Sequence, residues 1–402
     1  MSRHSPAGPG LPSGGTSPPD RIGTAGEAAA DAATRPRTPE RSTGFTRCTS
    51  LPRRKRNMRK TAAKLLTVAA LATSIATVAG GTAVADPAAG VTPRAIDFVG
   101  TGSDTTQAVV NQLAADYNAS LTDPNAPRVY SWDATPTGTT ITPKAGSAAI
   151  ARPNGSGAGI KALTTYTNTT VDFARSSRGP QASDPSSDDF VSLAKDAVAW
   201  AAPVAGNAPA NLSTANLKDI YTCAVTTWNQ IDPSLPNATI KPFLPQADSG
   251  TRSFFLTTIG GGAAVTPGGC VTSGTQENQG SDTALADVNA LVPYSVAHYI
   301  GQVYYGKGSG ADVQGPLTIR NVDGVTGGPV DTTAKTISAA FAATPYSRVV
   351  YNVFRDSEWT SNATLRAIFG KGGWLCTNGA NDIKSFGFLP LSSFACGSVT
   401  HS

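Results

Sequence analysis

The sequence predicts an α/β protein, and three observations support this class. Short apolar segments alternate with segments whose apolar residues recur at helical spacing. Three turns rich in glycine and hydroxyl residues each lie directly before a predicted helix. Residues 86–402, which follow a predicted export signal, number 317 and suit two lobes better than one compact core. The predicted strands include residues 95–99, 129–132, 171–174 and 197–202.

The turn within residues 245–255 is the most informative of the three. Asp248, Ser249, Gly250 and Thr251 run directly into an apolar helical pattern, so a helix is expected to begin near Ser249. The first turn of a helix has unpaired N–H groups and the positive end of the helix dipole, which together stabilise an oxyanion. The same residue types are ordinary helix caps, so this turn alone is weak evidence for a site.

Two other turns have the same composition. One occupies residues 100–106, after the strand predicted at 95–99, and the other occupies residues 154–159. Apolar residues at helical spacing follow both turns. Three such turns could direct several N–H and O–H donors at one small anion.

The N-terminal residues predict export. Residues 1–57 are rich in Pro, Gly, Ser, Thr and Arg and cannot form a core, so we expect a disordered or misassigned extension, or an unusually long leader. Met58 opens a basic segment, an apolar run at 65–80 and an A-x-A motif at 83–85, which predicts a signal peptide over 58–85. A transmembrane anchor is the alternative, and the short, Ala- and Thr-rich run disfavours it. No lipid-attachment cysteine follows, so the product is expected to be secreted.

The charge distribution disfavours nucleic acid as a partner. The whole chain has a net charge of +5, but residues 86–402 hold 19 Lys plus Arg against 23 Asp plus Glu, a net charge of −4. The positive charge therefore belongs to the N-terminal segments. A negative protein that binds an anion has to use local donors.

The cysteines predict disulfides. Cys48 lies in the N-terminal extension, and an even number in the exported part favours two disulfides over metal ligation. Of the three pairings, the sequential one is favoured, Cys223 with Cys270 and Cys376 with Cys396. The chain has no C-x-x-C or H-x-x-x-H spacing, and no metal or cofactor is predicted.

A secreted hydrolase is the main alternative to a binding protein. His298 is the only histidine well inside the predicted folded region, and no G-x-S-x-G motif occurs. His298 lies in an apolar helical context, which is more typical of a packed histidine. The sequence therefore predicts a protein that is not an enzyme.

The order of the motifs resembles the phosphate-binding protein of phosphate ABC transporters (PstS type). The resemblance is good over about residues 95–300 and loose beyond. The motifs that carry it are residues 100–103, 155–161, 171–174, 217–221, 227–229, 248–251, 277–280 and 292–295.

The resemblance implies a type II periplasmic binding-protein fold, in which two α/β lobes joined by two crossing strands enclose a ligand cleft. Lobe one would be residues 86–204 and 346–402, and lobe two residues 205–345, with crossings near 198–204 and 348–353. The implied function is a secreted, monomeric solute-binding protein that captures phosphate or a related oxyanion for uptake with an ABC permease. A sensor or interaction module of the same fold, without transport, stays an alternative.

The resemblance also implies a set of ligand contacts. Those in the three glycine- and hydroxyl-rich turns are Ser103, Asp104, Thr105, Ser156, Ser249, Gly250 and Thr251, and Ser177, after the strand predicted at 171–174, is included as a further contact.

Three positions depart from the family pattern. The family's arginine falls on Pro245, its acceptor carboxylate on Ser177, and its first-loop hydroxyl on Asp104. We hypothesise that Asp104 replaces the acceptor and that Arg175 or Arg252 replaces the cation. An acceptor carboxylate favours phosphate over sulfate, because phosphate still carries a proton near neutral pH.

Other interpretations of these residues stay open. Asp104 could cap a helix, and Arg175 and Arg252 could be surface charges or could pair with Asp172 and Asp248. Glu277 could line the cleft, although an exposed loop acid is favoured.

Overall fold

The computed structural model describes residues 86–88 and 90–401, which form one compact unit. The expectations for residues 1–57 and for the signal peptide at 58–85 lie outside the described residues. Among the residues that the structure describes, no helix has the length and apolar character needed to cross a bilayer.

The strands are, in chain order, β1 (Phe98–Gly102), β2 (Val129–Ser131), β3 (Thr140–Ile141), β4 (Ile150–Ala151), β5 (Phe173–Ser176), β6 (Asp188–Pro203), β7 (Asn211–Leu212), β8 (Lys241–Pro245), β9 (Thr272–Thr275), β10 (Ala290–Ser295), β11 (Leu317–Val322), β12 (Val330–Asp331), β13 (Thr336–Ile337), β14 (Ser347–Arg355), β15 (Leu389–Pro390) and β16 (Val399–His401).

The α-helices are α1 (Gln107–Ser120), α2 (Ser156–Thr165), α3 (Thr214–Tyr221), α4 (Gly250–Ile259), α5 (Val296–Tyr304), α6 (Ala339–Ala342), α7 (Asp356–Ser361), α8 (Ala363–Phe369), α9 (Trp374–Asn378) and α10 (Ala380–Ser385). Strands and helices alternate through most of the described chain, which confirms the predicted α/β class.

Strand β6 joins the two parts of a 12-stranded sheet of order β2-β1-β5-β14-β6-β10-β8-β9. Residues 188–197 of β6 pair antiparallel with β14, whereas residues 198–203 pair antiparallel with β10 and β11. The first half of the sheet comprises β1, β2, β5, β14, β15, β16 and residues 188–197 of β6. The second half comprises β7 to β11 and the rest of β6. The predicted residue bounds of two lobes stay a prediction.

The carboxyl ends of parallel strands meet in both halves. β1 lies parallel to β2 and β5 in the first half, and β8 lies parallel to β9 and β10 in the second. The chain leaves β1, β8 and β10 into turns that lead to α1, α4 and α5. The turn before α2 joins the end of β1 through a bridge between Asn154 and Gly102. Ligands of open α/β sheets bind at such carboxyl ends, so the topology brings the three predicted turns to one region.

Local sequence explains where the helices begin. Ser249 caps α4 by accepting a hydrogen bond from Arg252 N at 3.0 Å, which confirms the predicted start. Gly155 precedes α2 with φ of 105°, and a Cβ there would lie 2.4 Å from the Asp248 carbonyl oxygen, so only glycine fits.

The helix α1 begins at Gln107, and its N-cap, Thr106, makes no side-chain capping bond. The alternative in which Asp104 caps this helix is therefore wrong.

Three predicted strands differ clearly in extent from those observed. The strand expected at 171–174 is β5 at Phe173–Ser176. The strand expected at 95–99 is β1 at Phe98–Gly102, because pairing with Phe173, Ala174 and Arg175 of β5 extends it through two glycines. The strand expected at 197–202 is the last part of the 16-residue β6.

Both predicted disulfides are present, Cys223–Cys270 and Cys376–Cys396. The first links the segment after α3 to the segment before β9, within the second half of the sheet. The second links α9 to the segment before β16, within the first half.

Candidate functional site

The three predicted turns meet where the two sheet halves face each other. The Oγ1 atoms of Thr105, after β1, and Thr251, in the first turn of α4, lie 3.3 Å apart. Gly157 N, in the first turn of α2, donates to the carbonyl oxygen of Asp248 at 2.9 Å. Segments distant in the sequence thus form one polar cluster at two helix N-termini.

A pair of serines forms the floor of this cluster. Ser156 Oγ lies 3.3 Å from Ser177 Oγ and accepts a hydrogen bond from Ser177 N at 2.9 Å. The first turn of α4 rests on both hydroxyls, since a Cβ on Gly250 would lie 2.3 Å from Ser156 Oγ and 2.4 Å from Ser177 Oγ. Both serines are fully buried.

Glu277, in the turn after β9, lies inside the cluster. Its side chain is 0 % exposed, so the expectation of an exposed loop acid is wrong. Glu277 Oε1 accepts hydrogen bonds from Thr105 Oγ1 at 2.6 Å and from Thr251 N at 3.3 Å. Its other oxygen, Oε2, has no hydrogen-bond partner among the described residues. The chain therefore places its own carboxylate against two predicted anion donors.

Arg348, at the start of β14, provides a cation beside Thr251. Its Nη2 donates to Thr251 Oγ1 at 2.9 Å and to Asp196 Oδ2 at 2.8 Å. Asp196 also accepts from Ser295 Oγ and Ala297 N, so Arg348 balances the charge of this buried carboxylate and two neutral donors complete its hydrogen bonds. Arg348 Nη1 is buried and has no partner within the described part of the chain.

The two arginines proposed from the sequence have other contacts. Arg175 is fully buried and donates to the carbonyl oxygens of Ser103 at 3.0 Å and Trp132 at 2.7 Å, and to Ser131 Oγ. Burial lowers the pKa of Arg175 to about 10, so the side chain stays charged at neutral pH. Arg252 donates to the carbonyl oxygen of Pro245 at 2.9 Å. Neither arginine pairs with Asp172 or Asp248; Asp172 instead pairs with Lys144 at 2.7 Å.

Asp104 lies at the edge of the same cluster and is 1 % exposed. Its Oδ2 accepts a hydrogen bond from Gln276 Nε2 at 2.6 Å, while its Oδ1 has no partner in the described structure. Burial raises the pKa of Asp104 well above its ordinary value, and the carboxylates of Asp312 and Glu277 add to this. The carboxyl group is thus driven towards its neutral form.

Ser103 forms part of the same turn. Its N–H donates to the carbonyl oxygen of Arg175 at 3.0 Å, and its hydroxyl is buried without a partner among residues 86–88 and 90–401. The mutual bonds between Ser103 and Arg175 hold the turn after β1 on the end of β5.

His298 is packed into the structure by two contacts. Its Nε2 lies 2.6 Å from Asp312 Oδ1 and its Nδ1 lies 3.2 Å from the carbonyl oxygen of Thr105. Burial lowers the pKa of His298, but the Asp312 carboxylate outweighs burial and the resulting pKa is about 9. A charged imidazolium cannot serve as a general base, which disfavours a serine hydrolase. No group of three or more His, Cys, Asp and Glu among the described residues could hold a metal ion.

The structure therefore brings together Thr105, Ser156, Ser177, Gly250 and Thr251, and it adds Arg348 and Glu277, which sequence analysis did not assign. Their assignment as ligand contacts stays a prediction. Ser249 caps α4 next to them, and Asp104 and Ser103 lie in the same turn as Thr105.

The fold and the cluster define an α/β protein in which buried hydrogen-bond donors converge near the carboxyl ends of parallel strands. The chain belongs to the family of the PBP superfamily domain, whose model matches residues 76–367. This membership confirms the predicted binding-protein fold.

Solved structures resemble the chain at low identity. An ABC-type phosphate transport receptor from Vibrio cholerae is 19% identical with a TM-score of 0.48, and the match covers 73% of this chain and 99% of that one. A putative phosphate ABC transporter substrate-binding protein with bound phosphate from Clostridium perfringens is 17% identical with a TM-score of 0.49, covering 74% and 100%. PstS from Borrelia burgdorferi is 16% identical with a TM-score of 0.40, covering 73% and 98%. No curated protein matches the chain.

Proposed function

We propose that this protein captures a small tetrahedral oxyanion, inorganic phosphate foremost, in the cleft between two lobes, residues 86–204 with 346–402 and residues 205–345. Phosphate-binding transport proteins are among the solved structures that resemble it. The proposed role is that of a secreted, monomeric binding protein that supplies phosphate to an ABC permease. No covalent step is involved.

The convergence of donors from separate segments carries this proposal. Hydroxyls of Thr105, Ser156 and Thr251, the first turn of α4 and the guanidinium of Arg348 meet in a buried cluster. Donors of this kind bind a tetrahedral anion from several directions at once. Burial strengthens each hydrogen bond, because it excludes competing water.

The ligand enters when the two halves separate. Thr105, Ser156 and Thr251 are at most 1 % exposed, so the described arrangement is a closed one. Contacts across the cleft, such as Asn154 Nδ2 to Gln276 Oε1 at 2.8 Å, are polar and exchange readily with water. The strand β6, which belongs to both halves, and the segment that leads into β14 are the natural hinge.

Arg348 takes the role of the cation that the family pattern lacks at Pro245. Its Nη2 is bonded to Thr251 Oγ1, and its Nη1 is left to donate to the ligand. Arg175 acts instead as a positioning residue, because its bonds to the carbonyl oxygens of Ser103 and Trp132 fix the turn that carries Asp104 and Thr105.

Titration calorimetry of the purified protein with phosphate, arsenate and sulfate tests the proposal. We expect heat with phosphate and arsenate. Thr251→Val should weaken phosphate binding by about tenfold to a hundredfold, because it removes a hydroxyl that can donate to a charged ligand. Thr258→Val is the matched control, since the Thr258 hydroxyl on the same helix donates to the Phe254 carbonyl oxygen at 2.9 Å.

The proposal fails if millimolar phosphate produces no heat of binding and no change in melting temperature. This result would have to hold for the wild type and for every variant that alters the cleft. If Thr251→Val and Thr258→Val weaken phosphate binding equally, Thr251 is not a ligand contact.

A further inference from the structure

The carboxylate of Glu277 occupies donors that the proposed ligand needs. Its Oε1 accepts from Thr105 Oγ1 at 2.6 Å, on the first half of the sheet, and from Thr251 N at 3.3 Å, on the second. A carboxylate oxygen and an oxyanion oxygen accept hydrogen bonds from such donors in the same way. Glu277 and a bound oxyanion therefore compete for the same two hydrogens.

The position of Glu277 is fixed by its neighbours in the turn after β9. Asn278 Nδ2 donates to Thr105 Oγ1 at 3.1 Å, and Glu277 N donates to Gln246 Oε1 at 3.2 Å. Asn278 has φ of 58°, a left-handed conformation that asparagine tolerates. The turn is built to hold the carboxylate on the cluster.

The charges around Glu277 favour its competition with an anion. Arg348 is bonded to Thr251, which in turn donates its N–H to Glu277, so the acid and the cation share one partner. An entering oxyanion would add a further negative charge to this buried group, where repulsion is weakly screened.

We propose that Glu277 is a built-in competitor, an internal carboxylate that holds the closed cleft in place of a ligand and that an oxyanion has to displace from Thr105 and Thr251. This inference rests on the proposed function and makes Glu277 the residue that sets the affinity of the site. It also sets the selectivity, because a ligand with more negative charge is opposed more strongly.

Titrations of wild type and Glu277→Gln with phosphate and with sulfate test the proposal. The amide keeps the shape of the side chain but removes its charge. We expect Glu277→Gln to bind phosphate about tenfold more tightly or better, with a larger gain for the more highly charged sulfate. Glu277→Asp withdraws the carboxylate by one methylene and should give a smaller gain. Glu277→Asp also provides the test if Glu277→Gln folds poorly.

Glu358→Gln is the charge-matched control. Glu358, on α7, pairs with Arg355 at the end of β14 and contacts none of the proposed ligand-binding residues in the described structure. The Glu358→Gln variant loses the same charge as Glu277→Gln but far from the proposed site. Its affinities for phosphate and sulfate should therefore stay at the wild-type values. Melting curves of all variants verify that they are folded.

The outcomes separate this inference from the proposed function. If wild type binds phosphate and Glu277→Gln binds it equally or more weakly, Glu277 is no competitor, while the proposed function stands. Binding by Glu277→Gln where wild type shows none would support the inference strongly. If neither protein binds either oxyanion, both proposals are overturned.

Discussion

At the scale of single residues, the protonation of Asp104 decides what this side chain does in the cleft. One oxygen is held by Gln276 at 2.6 Å and the other is buried without a partner in the described structure. Because burial and two nearby carboxylates raise its pKa, the neutral acid is favoured, and a neutral acid can donate an O–H to an oxyanion. The sequence-based hypothesis gave Asp104 the opposite role, that of an acceptor.

Asp104→Asn distinguishes the two roles. If the neutral acid donates, the amide replaces it, and both the phosphate affinity and the preference for phosphate over sulfate should stay within about threefold of wild type. A raised pKa means that the proton is present at low pH and is lost as pH rises through that pKa. Wild type should then lose affinity relative to Asp104→Asn at high pH, which titrations of both proteins across pH would show. A variant that binds sulfate as well as phosphate would instead support the acceptor role.

The residues that could be predicted are those whose local sequence carries the signal. Glycine and hydroxyl residues before a helical pattern indicated Thr105, Ser156 and Thr251. Arg348 lies 97 positions from the Thr251 hydroxyl that it contacts, and Glu277 lies 172 positions from Thr105. Nothing local distinguishes an arginine in a strand, so only the tertiary fold reveals Arg348. For Glu277 the sequence left a position in the cleft open but favoured an exposed loop, and the fold shows that it is buried.

At the scale of elements, the starts of α2 and α4 lie so close to each other that the glycines at their contact could not carry a side chain. Gly155 approaches the Asp248 carbonyl, and Gly250 lies directly on Ser156 and Ser177. The sequence indicated both helices, because caps and apolar spacing are local. It did not indicate the length of β6, since the buried Asp188, Asp189 and Asp196 interrupt the apolar pattern that marks a strand.

Gly250→Ala tests whether this close packing is needed for binding. The added Cβ would lie 2.3 Å from Ser156 Oγ, so α4 cannot reach its closed position, and phosphate affinity should fall at least about tenfold. Gly269→Ala is the control, because a Cβ there meets nothing within 4 Å. Calorimetric titration of both variants gives the comparison. Wild-type affinity in Gly250→Ala would show that the closed contact between these turns is not part of the bound state.

At the scale of the whole molecule, strand β6 joins the two sheet halves, and neither disulfide of the described residues links one half to the other. β6 belongs to both halves, and the Trp200 indole within it donates to the Asn321 carbonyl oxygen at 2.9 Å in the second half. Each disulfide closes a loop inside one half, with sequence separations of 47 and 20 residues. The two disulfides therefore cross-link each half internally and add no covalent link between the halves.

Removal of either disulfide should reduce stability without altering the cleft. Loop-closure entropy gives a loss of about 4 kcal/mol for Cys223→Ser with Cys270→Ser and about 3 kcal/mol for Cys376→Ser with Cys396→Ser. Urea unfolding measures these losses in the free energy of unfolding. Calorimetric titration well below the unfolding midpoint should give the wild-type phosphate affinity for both double variants, because no cysteine contacts a donor in the described cleft. Weaker phosphate binding by a variant that is still folded would show that its disulfide sets the geometry between the halves, contrary to a hinge formed only by β6 and the segment that leads into β14.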